Sequence, residues 1–388
     1  MAKLIGSAPN QISTNGDLGS MAFEDKKNYA TTSSSIHQPY RNIIINGDMS
    51  IAQRGTSTSG ITGDGYYTAD RWRTLPVSLG TWTQSQSTDV PSGQGFAKSL
   101  KMECTTADAS PSASSQLRIL QLFEGQNLQY LKKGTANAQS LTLSFWVKSN
   151  KTGTYIAEFF DLDSNRTISQ AYTINSANTW EKKTLTYAGD NSGLLNNDNN
   201  ASFQISFWLG AGSTYTSGTL QNYWLTSTPN ANRAVGQVNL ADSTSNEWYI
   251  TGVQLEAGTT ASDFEFLPHD VNLRRCQRYY YLHVSGASKH ICLGTFYTST
   301  LLTMGLQFPT EMRTAPTLIK NSGTNYYIAY SNNSGDAFDD FTGSIQRPST
   351  TGCGIDTNDG TKLNGVQGYG VSVATLDANS YIAFNAEL

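Results

Sequence analysis

The fold of this chain is decided by two stretches of alternating residues, LTLSFWV at residues 141–147 and FQISFWL at residues 203–209. Successive side chains of a β-strand point to opposite faces of the sheet, so this alternation predicts antiparallel strands with one buried face. Polar turn segments separate such stretches, for example DLDSNR at residues 161–166 and GDNSG at residues 189–193. Strand and turn patterns alternate over residues 43–266, which predicts a β-sandwich of the jelly-roll type.

Composition and pattern divide the chain into four segments. Residues 1–40 are small, polar and turn-rich, as expected of an arm that becomes ordered when it binds a partner. We expect a jelly-roll domain at residues 41–268, a connector helix with Asp270 as N-cap at residues 269–284, and a second β domain at residues 285–388. The predicted fold class is all-β: an antiparallel β-sandwich (jelly roll) with an extended N-terminal arm, a short connector helix and a C-terminal β-sandwich domain.

The composition narrows the class of protein. Charged residues make up 14% of the 388 residues, whereas Tyr occurs 20 times. Few charges with many polar uncharged residues fit extracellular or virion β-proteins better than a cytosolic enzyme. The net charge of −4, without a cluster of Lys and Arg, argues against a nucleic-acid partner.

The chain lacks signals for membranes and for metal or disulfide frameworks. It has no long apolar run, and residues 1–6 are too short in their apolar part for a secretory signal. We therefore expect synthesis in the cytoplasm without membrane insertion. Cys104, Cys276, Cys292 and Cys353 lack metal-ligand spacing and are predicted to be buried free thiols.

Five motifs carry a resemblance to a known family. They are NIIINGDMSIAQRG at residues 42–55, YYTADRW at 66–72, TGVQLEAG at 251–258, RCQRYYY at 275–281 and FPTEMRTAPT at 308–317. The first two resemble the opening of a family of tail-fibre and appendage proteins of tailed bacteriophages, notably those that infect marine bacteria and cyanobacteria. The others resemble that family's closing strand, following helix and distal β module. The resemblance implies a trimeric virion protein, located in the tail appendage, with a jelly roll akin to carbohydrate-binding modules.

The arm is similar to the attachment ends of such proteins, so it is expected to dock on other tail proteins of the virion. The candidates for this attachment are Pro9, Asn10, Gln11, Leu18, Met21 and Phe23. In the predicted helix, Arg274 and Arg278 stand four residues apart on one face, and with Tyr280 they are candidates for an interface of the homotrimer. A helix that packs within its own chain accounts for the same three residues.

The sequence offers no catalytic motif. Hydrolysis of a glycan needs two carboxylates roughly 5 to 10 Å apart beside a groove, and the acids of this chain are spread singly. His37, His269, His283 and His290 form neither an HExxH pair nor part of a triad. The chain is predicted to be non-enzymatic and to hold no cofactor or metal.

One segment has the odd-position spacing of a calcium loop, in Asp161, Asp163 and Asn165. Arg166 stands where such a loop requires glycine, and Tyr172 stands where it requires glutamate. Asp and Asn are also preferred turn residues, so a hairpin turn is the better prediction.

Aromatic residues are the remaining functional candidates, because sugar rings stack on exposed aromatic side chains while nearby polar groups bond their hydroxyls. Trp72 and Trp82 flank Pro76 and Gly80, where a rim position and a core position are equally compatible with the sequence. The candidate contact surface of the C-terminal domain comprises Tyr326, Tyr327, Tyr330, Asn332, Asn333 and Asp336. A twisted edge strand with solvated loops is the alternative for this set.

These observations favour a tail fibre or appendage protein that attaches to a host-surface glycan or lipopolysaccharide. Two alternatives stay open. The first is a purely structural fibre, horn or capsid-associated component without a receptor of its own, and the second is a glycan depolymerase.

Overall fold

The structure, a computed structural model, describes residues 40–332, 334–341 and 345–388. Residues Asn42–Leu388 form one compact unit. The six arm residues proposed for virion attachment lie outside the described residues. The domain boundaries expected within the compact unit stay a prediction.

The described chain is almost entirely built of β-strands, which confirms the predicted all-β class. The strands are β1 (Ser57–Ile61), β2 (Gly65–Tyr66), β3 (Arg73–Val77), β4 (Thr81–Ser87), β5 (Ser99–Thr106), β6 (Gln116–Glu124), β7 (Leu141–Ser149), β8 (Gly153–Asp161), β9 (Arg166–Ile174), β10 (Glu181–Tyr187), β11 (Ala201–Ala211), β12 (Leu225–Thr226), β13 (Glu247–Ala257), β14 (Tyr280–Ser285), β15 (His290–Phe296), β16 (Leu301–Gln307), β17 (Thr317–Lys320), β18 (Tyr327–Ser331), β19 (Ser334–Phe338), β20 (Gly352–Asn358), β21 (Gly370–Thr375) and β22 (Tyr381–Asn385). The α-helices are α1 (Ser213–Thr216) and α2 (His269–Gln277). Short 3-10 turns lie at Gly125–Asn127, Gln129–Leu131, Asn230–Asn232 and Leu240–Asp242.

Two antiparallel sheets form the first sandwich. Sheet A has the order β1-β4-β5-β13-β7-β10, and sheet B has the order β12-β9-β8-β11-β6-β3-β2. The two alternating stretches lie in β7 and β11, one in each sheet. Phe145 and Phe207 meet edge to face with ring centroids 5.0 Å apart, in the core between the sheets. The apolar face predicted for each stretch is therefore the face that packs against the other sheet.

The second face of β11 is also buried, which the alternation did not predict. Trp208 on that face is fully buried and packs against Tyr215, with ring centroids 5.2 Å apart, and against Ala234. Tyr215 and Ala234 belong to the long connection between β11 and β13. This connection folds back over sheet B, so the outer face of β11 is not exposed to solvent.

The C-terminal strands form a second sandwich with its own core, as predicted. Sheet C has the order β14-β22-β17, and sheet D has the order β19-β18-β21-β15-β16-β20. Phe384 of sheet C and residues such as Phe296 and Tyr327 of sheet D belong to one hydrophobic cluster. One face of sheet D is thus packed, and its other face is available to solvent.

Helix α2 lies where the connector helix was predicted, with two corrections. Its N-cap is Pro268, whose carbonyl accepts the Asn272 amide at 3.0 Å, and Asp270 lies inside the first turn. The helix ends at Gln277, before Tyr280, because Tyr280 pairs with Asn385 as the first residue of β14. Backbone hydrogen bonding to β22 replaces the helical pattern at this point.

Candidate functional site

The outer face of sheet D brings polar residues from distant parts of the chain together. Strands β16 and β20 alternate between buried residues and residues that reach solvent, and β15 alternates after a register shift between His290 and Cys292. Pairing of these strands places Thr303 between Thr295 and Asp356. It also places Gly305 opposite Gly354. These residues line one shallow depression of about 710 Å³, which we call the trough.

The floor of the trough is made of glycine. Gly305 and Gly354 carry no side chain, but only Gly305 leaves open space, because a Cβ at Gly354 would lie 3.1 Å from Cβ of Gln346. A Cβ atom at Gly305 would have no heavy atom within 4 Å. By contrast, a Cβ at Gly294 would lie 2.5 Å from Cγ of Met304, so packing requires glycine there. Glycine at position 305 creates room for a ligand and is not demanded by the fold.

The walls of the trough carry hydrogen-bonding groups of several kinds. Gln346 is held against Gly354 by two backbone hydrogen bonds of 2.7 Å, each residue donating its N–H to the carbonyl of the other. Burial raises the pKa of Asp356 above its usual value, and nearby Arg347 opposes this shift. With Thr303, the walls offer a hydroxyl, an amide, a guanidinium and a carboxyl group to a ligand.

The rim of the trough is apolar. Leu293 is 70% exposed and Tyr297 is 66% exposed, and both line the trough. Large apolar side chains in such a position are typical of a contact surface when polar groups surround them. A ring or aliphatic face above polar walls is the mixture that sugar recognition requires.

The structure separates the aromatic residues of the predicted contact surface into two groups. Strand β18 alternates, so Tyr327 is buried and donates its hydroxyl to the Asn321 carbonyl at 2.6 Å. Tyr330, on the opposite face, is 50% exposed. Tyr326 is half-buried against the same core as Tyr327. Tyr327 is therefore a core residue, which corrects its assignment to the contact surface.

The polar members of that predicted surface are also divided. Asn332 is exposed in the turn between β18 and β19, with the left-handed backbone φ of 44°. Asp336 is half-buried, and its carboxylate accepts the Asn364 amide at 3.1 Å. Asn333 lies outside the described residues. Of the six predicted residues, Tyr330 and Asn332 present exposed side chains in the described structure.

Trp72 and Trp82 take the core alternative. Both are fully buried in the first sandwich. Nε1 of Trp72 donates to the Asn46 carbonyl at 3.0 Å, and Nε1 of Trp82 donates to the Leu79 carbonyl at 2.6 Å. Neither ring reaches the surface, which corrects their assignment as glycan contacts. The alternation of β4 explains Trp82: Trp82 and Gln84 are buried, whereas Thr81, Thr83 and Ser85 are half-buried.

The helix residues proposed for a trimer interface make intrachain contacts. Arg278 donates from Nε and Nη2 to the Glu124 carboxylate at 2.7 Å each. The guanidinium of Arg54 lies 3.6 Å from the ring centroid of Tyr280, which is buried. Arg274 is exposed. Arg278 and Tyr280 thus follow the intrachain alternative, while the homotrimer itself stays a prediction.

A network of buried ions, which we call the junction network, surrounds these contacts. Arg71 is fully buried, is paired with the Glu387 carboxylate, and donates to the Leu122 carbonyl at 2.6 Å. Burial disfavours the charge of Arg71, but Glu387 raises its pKa above the usual value. Arg54 also pairs with Glu387, at 3.2 Å. The network joins the opening segment of the first sandwich to the end of the second.

Asp70, which borders the junction network, titrates unusually. It is fully buried and accepts hydrogen bonds from the backbone and the side chain of Gln53 at 2.9 and 2.5 Å. Burial raises its pKa from 3.8 to about 6, although Arg54 and Gln53 lower it in part. Because the folded pKa is raised, the contribution of Asp70 to stability is fully present below about pH 4 and is lost as the pH rises through about 6.

We therefore expect wild-type protein to lose about 2–3 kcal/mol of unfolding free energy relative to Asp70→Asn between pH 4 and pH 7. Urea unfolding of both proteins across this range measures the difference. The comparison cancels the titration of all other groups, which the two proteins share. A wild type that gains stability relative to the variant as the pH rises would contradict the prediction.

A second cleft, of about 640 Å³, is lined by four tyrosines, Tyr66, Tyr67, Tyr280 and Tyr381, and by Arg54. We call it the tyrosine cleft. The guanidinium of Arg54 lies over the rings of Tyr280 and Tyr66, with distances of 3.6 and 5.2 Å to the centroids. Ring faces that already hold a cation offer less surface to a sugar. The trough is therefore the stronger candidate site.

The segment with calcium-loop spacing is a hairpin, as predicted. β8 ends at Asp161 and β9 begins at Arg166, with Asn165 in a left-handed turn conformation. The ammonium group of Lys133 lies 3.0 Å from the Asp161 carboxylate and 2.8 Å from that of Asp190. A lysine neutralises the acids that a cation would have to bind.

Sequence patterns did not single out the trough. Gly354 and Asp356 belong to no binding motif, because GCGID at residues 352–356 lacks the spacing of a phosphate-binding loop. A signal was present, because Gly352, Gly354 and Asp356 occupy alternate positions of one strand and so share a face. Nothing local to the sequence indicated that Gly305 would stand beside them.

Three further observations concern the described part of the chain. All four cysteines are buried free thiols, as predicted. Among the described residues, no three His, Cys, Asp or Glu side chains are grouped to hold a metal ion. None of the helices in the described ranges has the length and apolarity to cross a membrane.

No protein-family model matches this chain, and no curated protein matches it. Solved structures similar to it include a phage tailspike domain and carbohydrate-binding modules. The enzymatically active domain of tailspike protein 4 of bacteriophage CBA120 is 16% identical, over 57% of this chain and 22% of its own, with a TM-score of 0.30. This chain thus spans about a fifth of the tailspike structure.

Two of the modules cover similar shares of the chain. A CBM4 structure is 13% identical, over 55% of this chain and 97% of its own, with a TM-score of 0.27. TmCBM61 in complex with β-1,4-galactotriose is 9% identical, over 56% of this chain and 99% of its own, with a TM-score of 0.28. The enzymatic activity of the tailspike domain and the galactotriose ligand of TmCBM61 are properties of those two proteins.

Proposed function

We propose that this protein is a non-enzymatic appendage of a phage tail that binds a glycan of the host surface through the trough. One observation carries the proposal. On the outer face of sheet D, a glycine floor that is open above Gly305 lies between polar walls and an exposed apolar rim. A sugar ring has apolar C–H faces and a hydroxyl edge, so it would stack on Tyr297 while Thr303 and Asp356 bond its hydroxyls.

The trough favours binding over cleavage. Glycoside hydrolysis requires two carboxyl groups, about 5–10 Å apart, on either side of the bond. Asp356 is the only acid among the described residues that line the trough. Asp70 and Glu387, which lie near the tyrosine cleft, are buried and bonded to Gln53 and to arginines. A depolymerase is therefore the less favoured alternative.

The virion part of the proposal rests on the family resemblance of the motifs at residues 42–55, 66–72 and 251–258. In this proposal the arm docks on other tail proteins of the virion, and the chain forms a homotrimer. The glycan is a host-surface polysaccharide or the carbohydrate of lipopolysaccharide. A purely structural virion component without receptor contact is the alternative that the binding experiment separates.

The test is an array of bacterial lipopolysaccharides, capsular polysaccharides and exopolysaccharides probed with labelled protein. We expect capture of at least one glycan, and we expect Gly305→Leu to lower the affinity for it at least tenfold, as measured by calorimetry. Leucine would extend into the open space above the floor, because no heavy atom lies within 4 Å of the new Cβ.

The matched control is Gly63→Leu, at an exposed loop glycine of the first sandwich whose Cβ would meet only the Tyr67 hydroxyl, at 3.9 Å. This variant should bind as the wild type does. Capture of no glycan would favour the structural component. Release of soluble oligosaccharide from a captured glycan would favour the depolymerase.

A further inference from the structure

The exposed tyrosine of β18 lies in line with the trough. Tyr330 pairs across strands with Ser372 of β21, and Ser372 pairs with Leu293 of β15. Leu293 is itself part of the apolar rim of the trough. The three side chains are therefore consecutive neighbours on the outer face, in a row perpendicular to the strands.

This row continues into the glycine floor. Beyond Leu293, the trough passes over Gly305 of β16 and Gly354 of β20, which are paired with each other. From β18 to β20 the row crosses four strand-to-strand steps, about 19 Å at the usual spacing of about 4.8 Å. The row is longer than one or two sugar rings, so the surface has room for several rings side by side.

The lining of the trough carries little net charge. Among the described residues that line it, Arg347 is the only cation and Asp356 is the only anion. Ser372 and Leu293, which extend the row toward Tyr330, are uncharged. A polyanionic chain would need several cations along this path, because each uncompensated charge must be desolvated when it binds.

We propose that the binding site is an array of subsites for an extended, electrically neutral glycan that runs across the strands from Tyr330 to Gly354. The proposal rests on the glycan-binding function proposed above, and it adds the length, direction and charge class of the ligand. Leu293 and the glycine floor hold the rings at one end of the segment. Tyr330 supplies a stacking platform for a ring at the other end, two strands away from the trough.

The experiment uses the full chain and the polysaccharide that the array captures, cut into oligomers of two to eight rings that are separated by length. We expect the affinity to rise from the dimer until the oligomer reaches Tyr330, and then to level off. Tyr330→Ala should lower the affinity for the long oligomers about three- to tenfold and leave that for the dimer unchanged. Tyr330→Phe, which keeps the ring, should retain most of the affinity.

The control is Tyr223→Ala, which removes a tyrosine that is 60% exposed on the first sandwich. It should leave every affinity unchanged. A neutral ligand also predicts that added salt changes the affinity little, whereas a polyanion would bind more weakly at high ionic strength.

Three results would overturn the inference while the trough remains the binding site. They are full affinity at the dimer, an equal effect of Tyr330→Ala on short and long oligomers, and capture of polyanionic glycans only. Failure of the proposed function looks different, because then no oligomer binds or Gly305→Leu binds as well as the wild type does.

Discussion

Replacement of Trp72 with alanine is expected to lower the free energy of unfolding by about 3–5 kcal/mol, as for other large aromatic residues removed from a core. Trp72 is fully buried, and its ring centroid lies 6.2 Å from that of Phe207 of β11, in the core of the first sandwich. Its indole N–H satisfies the Asn46 carbonyl, which would be left without this bond. The cavity and the lost hydrogen bond both lower the free energy of unfolding.

Urea unfolding followed by circular dichroism measures this loss. Trp180→Ala is the matched control, because Trp180 is only partly buried on the outer face of sheet A and should cost much less. Under conditions where the Trp72→Ala protein remains folded, its affinity for the captured glycan should equal that of the wild type. A variant of unchanged stability with weakened glycan binding would restore Trp72 to the contact surface.

Replacement of Glu387 with alanine is expected to lower the free energy of unfolding by a similar amount, about 3–5 kcal/mol, because it leaves buried charges without a partner. The Glu387 side chain is almost fully buried and pairs with both Arg54 and Arg71. Each guanidinium also stacks on a tyrosine ring, Arg54 on Tyr280 and Arg71 on Tyr279, at 3.6 and 3.5 Å from the centroids. Neither arginine can swing out to water without losing this packing.

A double-mutant cycle separates the charge from the packing. Arg71→Met in the Glu387→Ala background should recover part of the lost stability, since an apolar chain then replaces an uncompensated guanidinium. Glu311→Ala, at an exposed acid, should change the stability by less than about 0.5 kcal/mol. Additive losses in the cycle would show that Glu387 and Arg71 do not depend on each other.

Charged side chains, including those of the junction network, connect the two sandwiches. Arg71 belongs to the opening of the first sandwich, whereas Glu387 follows β22 of the second. Arg278 and Tyr279, which precede β14, both bond Glu124 at the end of β6. Burial by itself would raise the pKa of Glu124, but these bonds hold that pKa below its usual value. The two sandwiches are thus joined by charged groups that lose their partners if the junction opens.

The strands themselves were predictable from local pattern. The alternation at residues 141–147 and 203–209 predicted β7 and β11, because side-chain direction in a strand depends only on the parity of the position. Local pattern also predicted the hairpin at residues 161–166 and a helix near residue 270. It did not predict where that helix ends, since Tyr280 leaves the helical pattern to pair with β22.

Parity alone could not say which aromatic residues are exposed. Tyr327 and Tyr330 lie three positions apart in β18, on opposite faces, and both faces of the strand carry an aromatic ring. Packing against sheet C decides that Tyr327 is inside. Trp72 and Trp82 show the same limit, because a tryptophan in a strand-rich segment suits both a core and a rim.

Local residue patterns were sufficient to predict the fold class, the alternation of the strands and the free cysteines. Each of these follows from residue type and spacing within a short segment. The trough and the junction network were decided by tertiary structure alone. Gly305 faces Gly354, and Glu387 reaches Arg71, only because strands and ends far apart in the chain are brought into register. That register is set by the packing of whole sheets, and no short stretch of sequence contains it.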